Sequence, residues 1–91
     1  MNKNELIARV ADRTNMSKAA AAEAVEATFS EIEAALKGGG EVRIVGFGNF
    51  VVAHRKASTG RNPRTGESIN IPASSTPKFR PGKALKDAVN S

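Results

Sequence analysis

The sequence predicts an α+β chain with elements in the order ααβββα. Three observations carry this. Apolar residues recur at helical spacing over residues 3–37, with one break at Asn15-Met16-Ser17. The run Gly38-Gly39-Gly40 ends that pattern, and the apolar period then drops to two. A last helical stretch follows Pro81.

Asn2 followed by Glu5 has the spacing of a capping box, and Leu6, Ile7, Val10 and Ala11 share a helical face. This first helix should reach about Thr14. Ser17 is a good N-cap for a second helix, whose stripe is Ala21, Val25, Thr28, Phe29, Ile32, Ala35 and Leu36. Its alanine-rich start, KAAAAEAVEA, has high helix propensity and admits a close neighbour. Lys37 sits well against the negative end of the helix dipole. The short break makes the pair an αα-hairpin.

EVRIV (41–45) then alternates, GFG (46–48) is a tight turn, and NFVVAHRKA (49–57) is a second strand rich in β-branched residues. The third strand is SINIPA (68–73), with Ile69 and Ile71 on one face. Strands on either side of GRNPRTGE (60–67) make a hairpin. Pro72 and Pro77 mark the third strand as an edge, or as bent there. Pro81 reads as the start of a short terminal helix carrying Lys83, Ala84, Leu85, Ala88 and Val89.

A length of 91 residues suits one domain. Without cysteine there is neither a disulfide framework nor a thiolate zinc site, and the lone His54 cannot build a metal site. No apolar run approaches membrane-spanning length, and MNKNELIARV lacks the apolar block of a signal peptide. The expectation is a soluble, intracellular protein. The net charge is +5, unevenly placed: residues 1–50 hold six basic and seven acidic side chains, residues 51–91 eight basic and two acidic. A near-neutral front half and a strongly basic back half suggest a scaffold carrying a polyanion-binding surface.

Strand residues 55–73 have almost nothing in the chain to pack on. Residues 1–54 and 74–91, together 72 residues, are left as the body. A core of that size is marginal, worth about 3–5 kcal/mol, and oligomerisation is the usual remedy. The only aromatics, Phe29, Phe47, Phe50 and Phe79, lie outside the hairpin and read as core, shared across a dimer interface or else packed within the chain.

The glycine-rich sites do not suit nucleotides. GGGE (38–41) follows a helix rather than a strand, and GFG lacks a following Lys-Ser/Thr, so both are turn chemistry. His54 has no readable triad, and nothing supports an enzyme, a cofactor or a small-molecule substrate. The hairpin is different. At about 3.3 Å per residue, Arg55 to Pro63 reaches about 26 Å, enough to curl partway around a duplex. Arg55, Lys56, Arg61 and Arg64 line or cap it. Arginine in a narrow minor groove meets enhanced negative potential, and Pro63 at the tip is a rigid apolar wedge able to kink a base step. A turn set only by Asn62-Pro63 would leave both the charge and the unsupported ribbon unexplained.

At this point the residues resemble a family. KNELI, GFGNF (46–50), GRNPRTGE and FRPGKALKDAVN (79–90) are similar to the bacterial histone-like DNA-binding proteins, the HU and integration host factor family, over essentially the whole chain. The resemblance implies an intertwined dimer, homodimeric or paired with a paralogue, with a helical base and two protruding β-ribbon arms. It implies arms that wrap double-stranded DNA through the minor groove, tip prolines that intercalate, and a role in bending DNA and compacting the bacterial nucleoid in the cytoplasm. Pro63 matches the intercalating wedge. Arg55, Arg61, Asn62 and Arg64 match arm contacts. Lys3, Lys83 and Lys86 match body positions that meet flanking phosphates, with Lys78 and Arg80 nearby. Many relatives carry further arginines where this chain has Ala53 and Ser58, and a small residue where it has Lys56. The short end at Ser91 resembles the HU branch, which favours weak sequence preference; DNA already nicked, gapped or bent should bind better because its deformation costs less.

Two other classes are weighed. A basic RNA-binding or ribosome-associated module is disfavoured, since the ribbon has no Phe and the chain no Tyr or Trp on which bases could stack. A protein-interaction scaffold using the edge strands leaves the basic half unexplained.

Overall fold

The computed structural model describes residues 1–91. The chain forms α1 (Lys3–Thr14), α2 (Lys18–Lys37), β1 (Val42–Ile44), β2 (Gly48–Arg55), β3 (Ser58–Arg61), β4 (Ser68–Ile71), β5 (Ser74–Pro81) and α3 (Lys83–Val89). It is α+β, and no helix is long and apolar enough to cross a membrane.

Both helix starts follow from their caps. The Glu5 N–H donates to Asn2 Oδ1 at 2.8 Å, and the Ala20 N–H to Ser17 Oγ at 3.1 Å. Each bond satisfies a donor that the first helical turn leaves free. α1 ends where Asn15 adopts the left-handed conformation, φ 59°. α1 and α2 then close on one another through Ile7, Ala11, Ala21 and Val25, with Leu6, Val10 and Ala22 packed at the margin. Alanine at positions 21 and 22 is what lets the helices approach.

The strands differ from the expectation in number and extent. The second predicted strand, 49–57, stops as β2 at Arg55, and after Lys56-Ala57 an unpredicted β3 follows; the third, 68–73, stops as β4 at Ile71, and after Pro72-Ala73 pairing resumes as β5. β2 pairs antiparallel with β5, and β3 with β4, so the two long strands are interrupted at the same level. Pro72 has no N–H to give to the ladder, which accounts for the lapse. The third strand also runs on to Pro81, well past residue 73. SSTPKFRP hides a period of two behind its prolines: Pro77 and Phe79 point one way, Lys78 and Arg80 the other. β5 is the outer strand of a sheet ordered β1-β2-β5, where a residue without an N–H is tolerated.

Pro81 corrects another expectation. It closes β5 opposite Gly48 and does not open the terminal helix. Gly82 is the cap residue of α3, and its N–H donates to the Phe47 carbonyl at 2.7 Å. A Cβ on Gly82 would lie 3.2 Å from the Phe47 backbone. The β1–β2 turn is closed by the Phe47 N–H on the Ile44 carbonyl at 3.0 Å, with Gly46 at φ 83°. A positive φ there suits glycine.

Three of the four phenylalanines gather on the inner face of the sheet. The Phe79 ring lies 5.4 Å from Phe47 and 4.9 Å from Phe50, centroid to centroid. It also lies over Gly48, where an added Cβ would stand 2.6 Å from the ring and from the Arg80 carbonyl. Phe29 stands apart on α2, 48% exposed.

A single chain covers little of its apolar surface. Only five of 91 residues are buried, and the core is four side chains, two of them alanine. The radius of gyration is 19.2 Å, against about 12 Å for a compact chain of this length. The accessible surface is 7525 Å², against about 5,100 Å² for a folded monomer of this mass. Phe47 and Phe79 are 45% and 39% exposed, and α3 buries no side chain.

Gly48→Ala should destabilise the fold by about 1–3 kcal/mol, the usual cost of forcing atoms into a filled site. Thermal unfolding followed by circular dichroism at fixed protein concentration checks this. A melting temperature equal to the parent's would show that the ring and backbone are not in contact.

Candidate nucleic-acid interface

The β3–β4 ribbon stands away from the body as a separate two-stranded sheet. Its strands pair Ser58↔Ile71, Thr59↔Asn70, Gly60↔Ile69 and Arg61↔Ser68. This register gives the ribbon unlike faces. Ser58, Gly60, Ile69 and Ile71 share one, where Ile71 Cδ1 lies 3.2 Å from the Cβ that Gly60 lacks. Thr59, Arg61, Ser68 and Asn70 share the polar one. Ile69 and Ile71 remain 46% and 37% exposed, so the ribbon is not held by a core.

The tip is built by its own polar groups. The Asn62 N–H donates to the Glu67 carbonyl and the Gly66 N–H to the Asn62 carbonyl, both at 2.8 Å. Asn62 Oδ1 accepts the Arg64 N–H at 2.8 Å, and the Glu67 N–H donates to Thr65 Oγ1 at 3.3 Å. Gly66 supplies the φ of 74° that the loop needs to return. Asn62 therefore spends its carbonyl oxygen on the turn, which leaves its amide NH2 to face outward. Pro63 sits exposed at the apex between exposed Arg61 and Arg64. It offers an apolar ring and no N–H to desolvate.

Below the ribbon, sheet register sorts the remaining charges. Arg55 opposes Ser74, Val51 opposes Lys78, and Asn49 opposes Arg80. Residues 49, 51, 53 and 55 point to one side of β2, so Arg55, Lys78 and Arg80 share the outer face. The inner face carries Phe50, Val52 and His54 against Phe79, Pro77 and Ser75. His54 accordingly lies on the face opposite Arg55. Its Nδ1 is 2.9 Å from Ser75 Oγ, a cross-strand polar pair at the end of the apolar row. Lys56 lies in the break between β2 and β3, and Lys83 and Lys86 are exposed on α3.

Lys3 is placed differently from the others. It is on the first turn of α1, where its Nζ lies 3.4 Å from Glu26 Oε1 in an exposed pair. Exposed pairs of this kind contribute about 0–1 kcal/mol, so the ammonium is readily redirected. One cation outside the predicted set joins the outer face. Arg43 opposes Asn49, which opposes Arg80, so the three form one row across the sheet. The signal was present in Val42-Arg43-Ile44, where strand alternation puts the middle residue on the other side.

The inner face leaves an open groove of about 290 Å³ lined by Glu33, Leu36, Lys37, Val52, Ser75 and Pro77. Its walls hold no group of histidine, cysteine or several carboxylates that could bind a metal. The chain thus presents one face of apolar rows and one of cations, with a basic ribbon continuing beyond both.

Comparison with known proteins gives the family. The "Bacterial DNA-binding protein" family profile matches residues 1–90, and the chain belongs to this family, that of the histone-like HU proteins. DNA-binding protein HRm of Rhizobium meliloti is 60% identical over 90 residues, covering 99% of this chain and 100% of that one. DNA-binding protein HU 1 of Bacillus subtilis is 56% identical over 89 residues, covering 98% and 97%. Among solved structures, an Anabaena HU–DNA cocrystal structure superposes with a TM-score of 0.84 at 40% identity, covering 98% of this chain and 97% of that one. HU from Thermotoga maritima gives 0.69 at 35% identity, covering 98% of each.

Proposed function

We propose that this protein binds and bends double-stranded DNA as a homodimer, with its ribbons in the minor groove, and so helps compact the bacterial nucleoid. DNA binding is the property of the family. The observation that carries the finer reading is the tip: an exposed proline between two exposed arginines, on a ribbon with no core of its own. A body that needed the ribbon for stability would bury it. Here the ribbon costs conformational entropy and returns little packing, so its use lies outside the chain.

The bend has an energetic balance. Smoothly bending 20–30 base pairs by 40–90° costs of order 1–6 kcal/mol, and unstacking a step costs a few more. Neutralising phosphates along the wrapped flanks offsets this. The outer face of the sheet, the exposed lysines of α3 and Lys3 provide cations for those flanks, while Arg55, Lys56, Arg61, Asn62 and Arg64 serve the groove. The ribbon cations are assigned to the minor groove, whose donor and acceptor pattern is degenerate, so sequence preference is weak. The protein performs no catalysis in this reading and needs no cofactor. The RNA-binding alternative gains nothing from the ribbon, which presents isoleucine and arginine and no aromatic ring.

The second copy answers the uncovered surface. The excess of roughly 2,400 Å² over a compact monomer includes the ribbon and the inner face with Phe47, Phe79 and the open groove. Obligate homodimers bury about 2,000–5,000 Å² in total, which the inner faces and α3 helices of two chains can supply. Phe29, Phe47, Phe50 and Phe79 are the side chains assigned to that interface.

At micromolar concentration the protein should sediment as a dimer; a folded, stable monomer would remove the basis for the shared core. In a gel-shift series on one duplex, intact or nicked, the nicked form should bind more tightly because its deformation costs less. With about 6–10 phosphates neutralised per dimer, affinity for either should fall ~10³–10⁵-fold between 50 and 200 mM salt. Equal affinity for the two duplexes would count against bending. Pro63→Ala should keep the fold and most of the salt-dependent affinity while reducing the bend, read as end-to-end energy transfer. An unchanged bend angle would exclude the wedge.

A further inference from the structure

The outer face of the sheet extends past the cations already assigned to it. Arg43, Asn49 and Arg80 stand in one row across β1, β2 and β5. Adjacent strands are about 4.8 Å apart, so the two arginines are based about 10 Å from one another with an amide between them. Lys78 stands one row nearer the ribbon. The face therefore offers donors on both of its margins.

Arg43 is not idle in the free chain. Its Nη2 and Nε each lie 2.7 Å from Glu41 Oε1, and its side chain remains 74% exposed. Glu41 precedes β1 by one residue and lies toward the same face. This is a surface ion pair, worth about 0–1 kcal/mol, on a side chain whose planar fork matches a phosphate bidentately. Nothing else in the chain occupies Arg43. A polyanion lying over Lys78 and Arg80 meets it next, and exchanging one carboxylate for a phosphate costs little.

We propose that Arg43 is a further phosphate-binding residue, extending the DNA path across the sheet to β1, and that Glu41 competes with the DNA for it. This rests on the DNA-wrapping reading above. Arg43 is a backbone contact only, without sequence information, because the sheet presents it as one member of a flat row.

The test is fluorescence anisotropy with a labelled intact duplex across a salt series, comparing the parent with Arg43→Gln, Arg43→Lys, Glu41→Gln and Lys78→Gln. For each contact removed by Arg43→Gln, the slope of log affinity against log salt should shrink by about 0.9, which is about an eightfold loss at 0.1 M salt. Arg43→Lys should keep the slope, since the charge is retained. Glu41→Gln should raise affinity, the opposite sign on the same strand. If Arg43→Gln and Glu41→Gln both match the parent while Lys78→Gln weakens binding, the path stops short of β1 and this inference falls alone. If the parent itself fails to bind the duplex, the wrapping reading falls, and the role of Arg43 with it.

Discussion

The seat of the Phe79 ring on Gly48 is the contact on which the rest of the molecule depends. It permits only glycine at that point of β2 and brings β5 against β2 with Phe79 opposite Phe50. Once that pair is set, the period of two decides every other position. Phe50, Val52 and Pro77 fall on the inner side, and Arg55, Lys78 and Arg80 on the outer. A slip of one residue would exchange the two sets, placing lysine and arginine over α2 and phenylalanine in water. The separation of an apolar face from a cationic one is therefore a matter of register, held by one aromatic ring.

The helices and the tip were legible in the sequence because their determinants are local. Asn2, Ser17 and Asn15 act within a turn of themselves, and each does what its type suggests. The tip loop likewise rests on Asn62 and Gly66 bonding to their own neighbours. β5 was not legible, for a physical reason. Its prolines signal a break on local grounds, and only the strand order makes them harmless, since β5 lies at the margin of its sheet. Pro81 misleads in the same way: it fits a helix start locally, yet pairing with Gly48 keeps it in the strand. Arg43 shows a third kind of loss. Its own alternation was readable, but its company was not, because Asn49 and Arg80 come from strands 6 and 37 residues further on.

Stability and charge are kept apart in this chain. The four buried side chains all belong to α1 and α2, where basic and acidic residues nearly balance. The cations of the back half are exposed, and the two ion pairs in the chain, Lys3 with Glu26 and Arg43 with Glu41, are both at the surface. None of these charges is desolvated by folding, so repulsion among them is screened by solvent and salt until a polyanion arrives.

The paired interruptions at Lys56-Ala57 and Pro72-Ala73 have a mechanical meaning. A continuous two-stranded ladder resists flexing because its hydrogen bonds cross both strands together. Here both strands lapse at one height, two residues each, and regular pairing resumes beyond. The break works as a wrist. The ribbon can change its angle to the sheet without losing any of its own cross-strand bonds or disturbing the seat of Phe79. The angle between ribbon and sheet is thus set apart from the registers on either side of it.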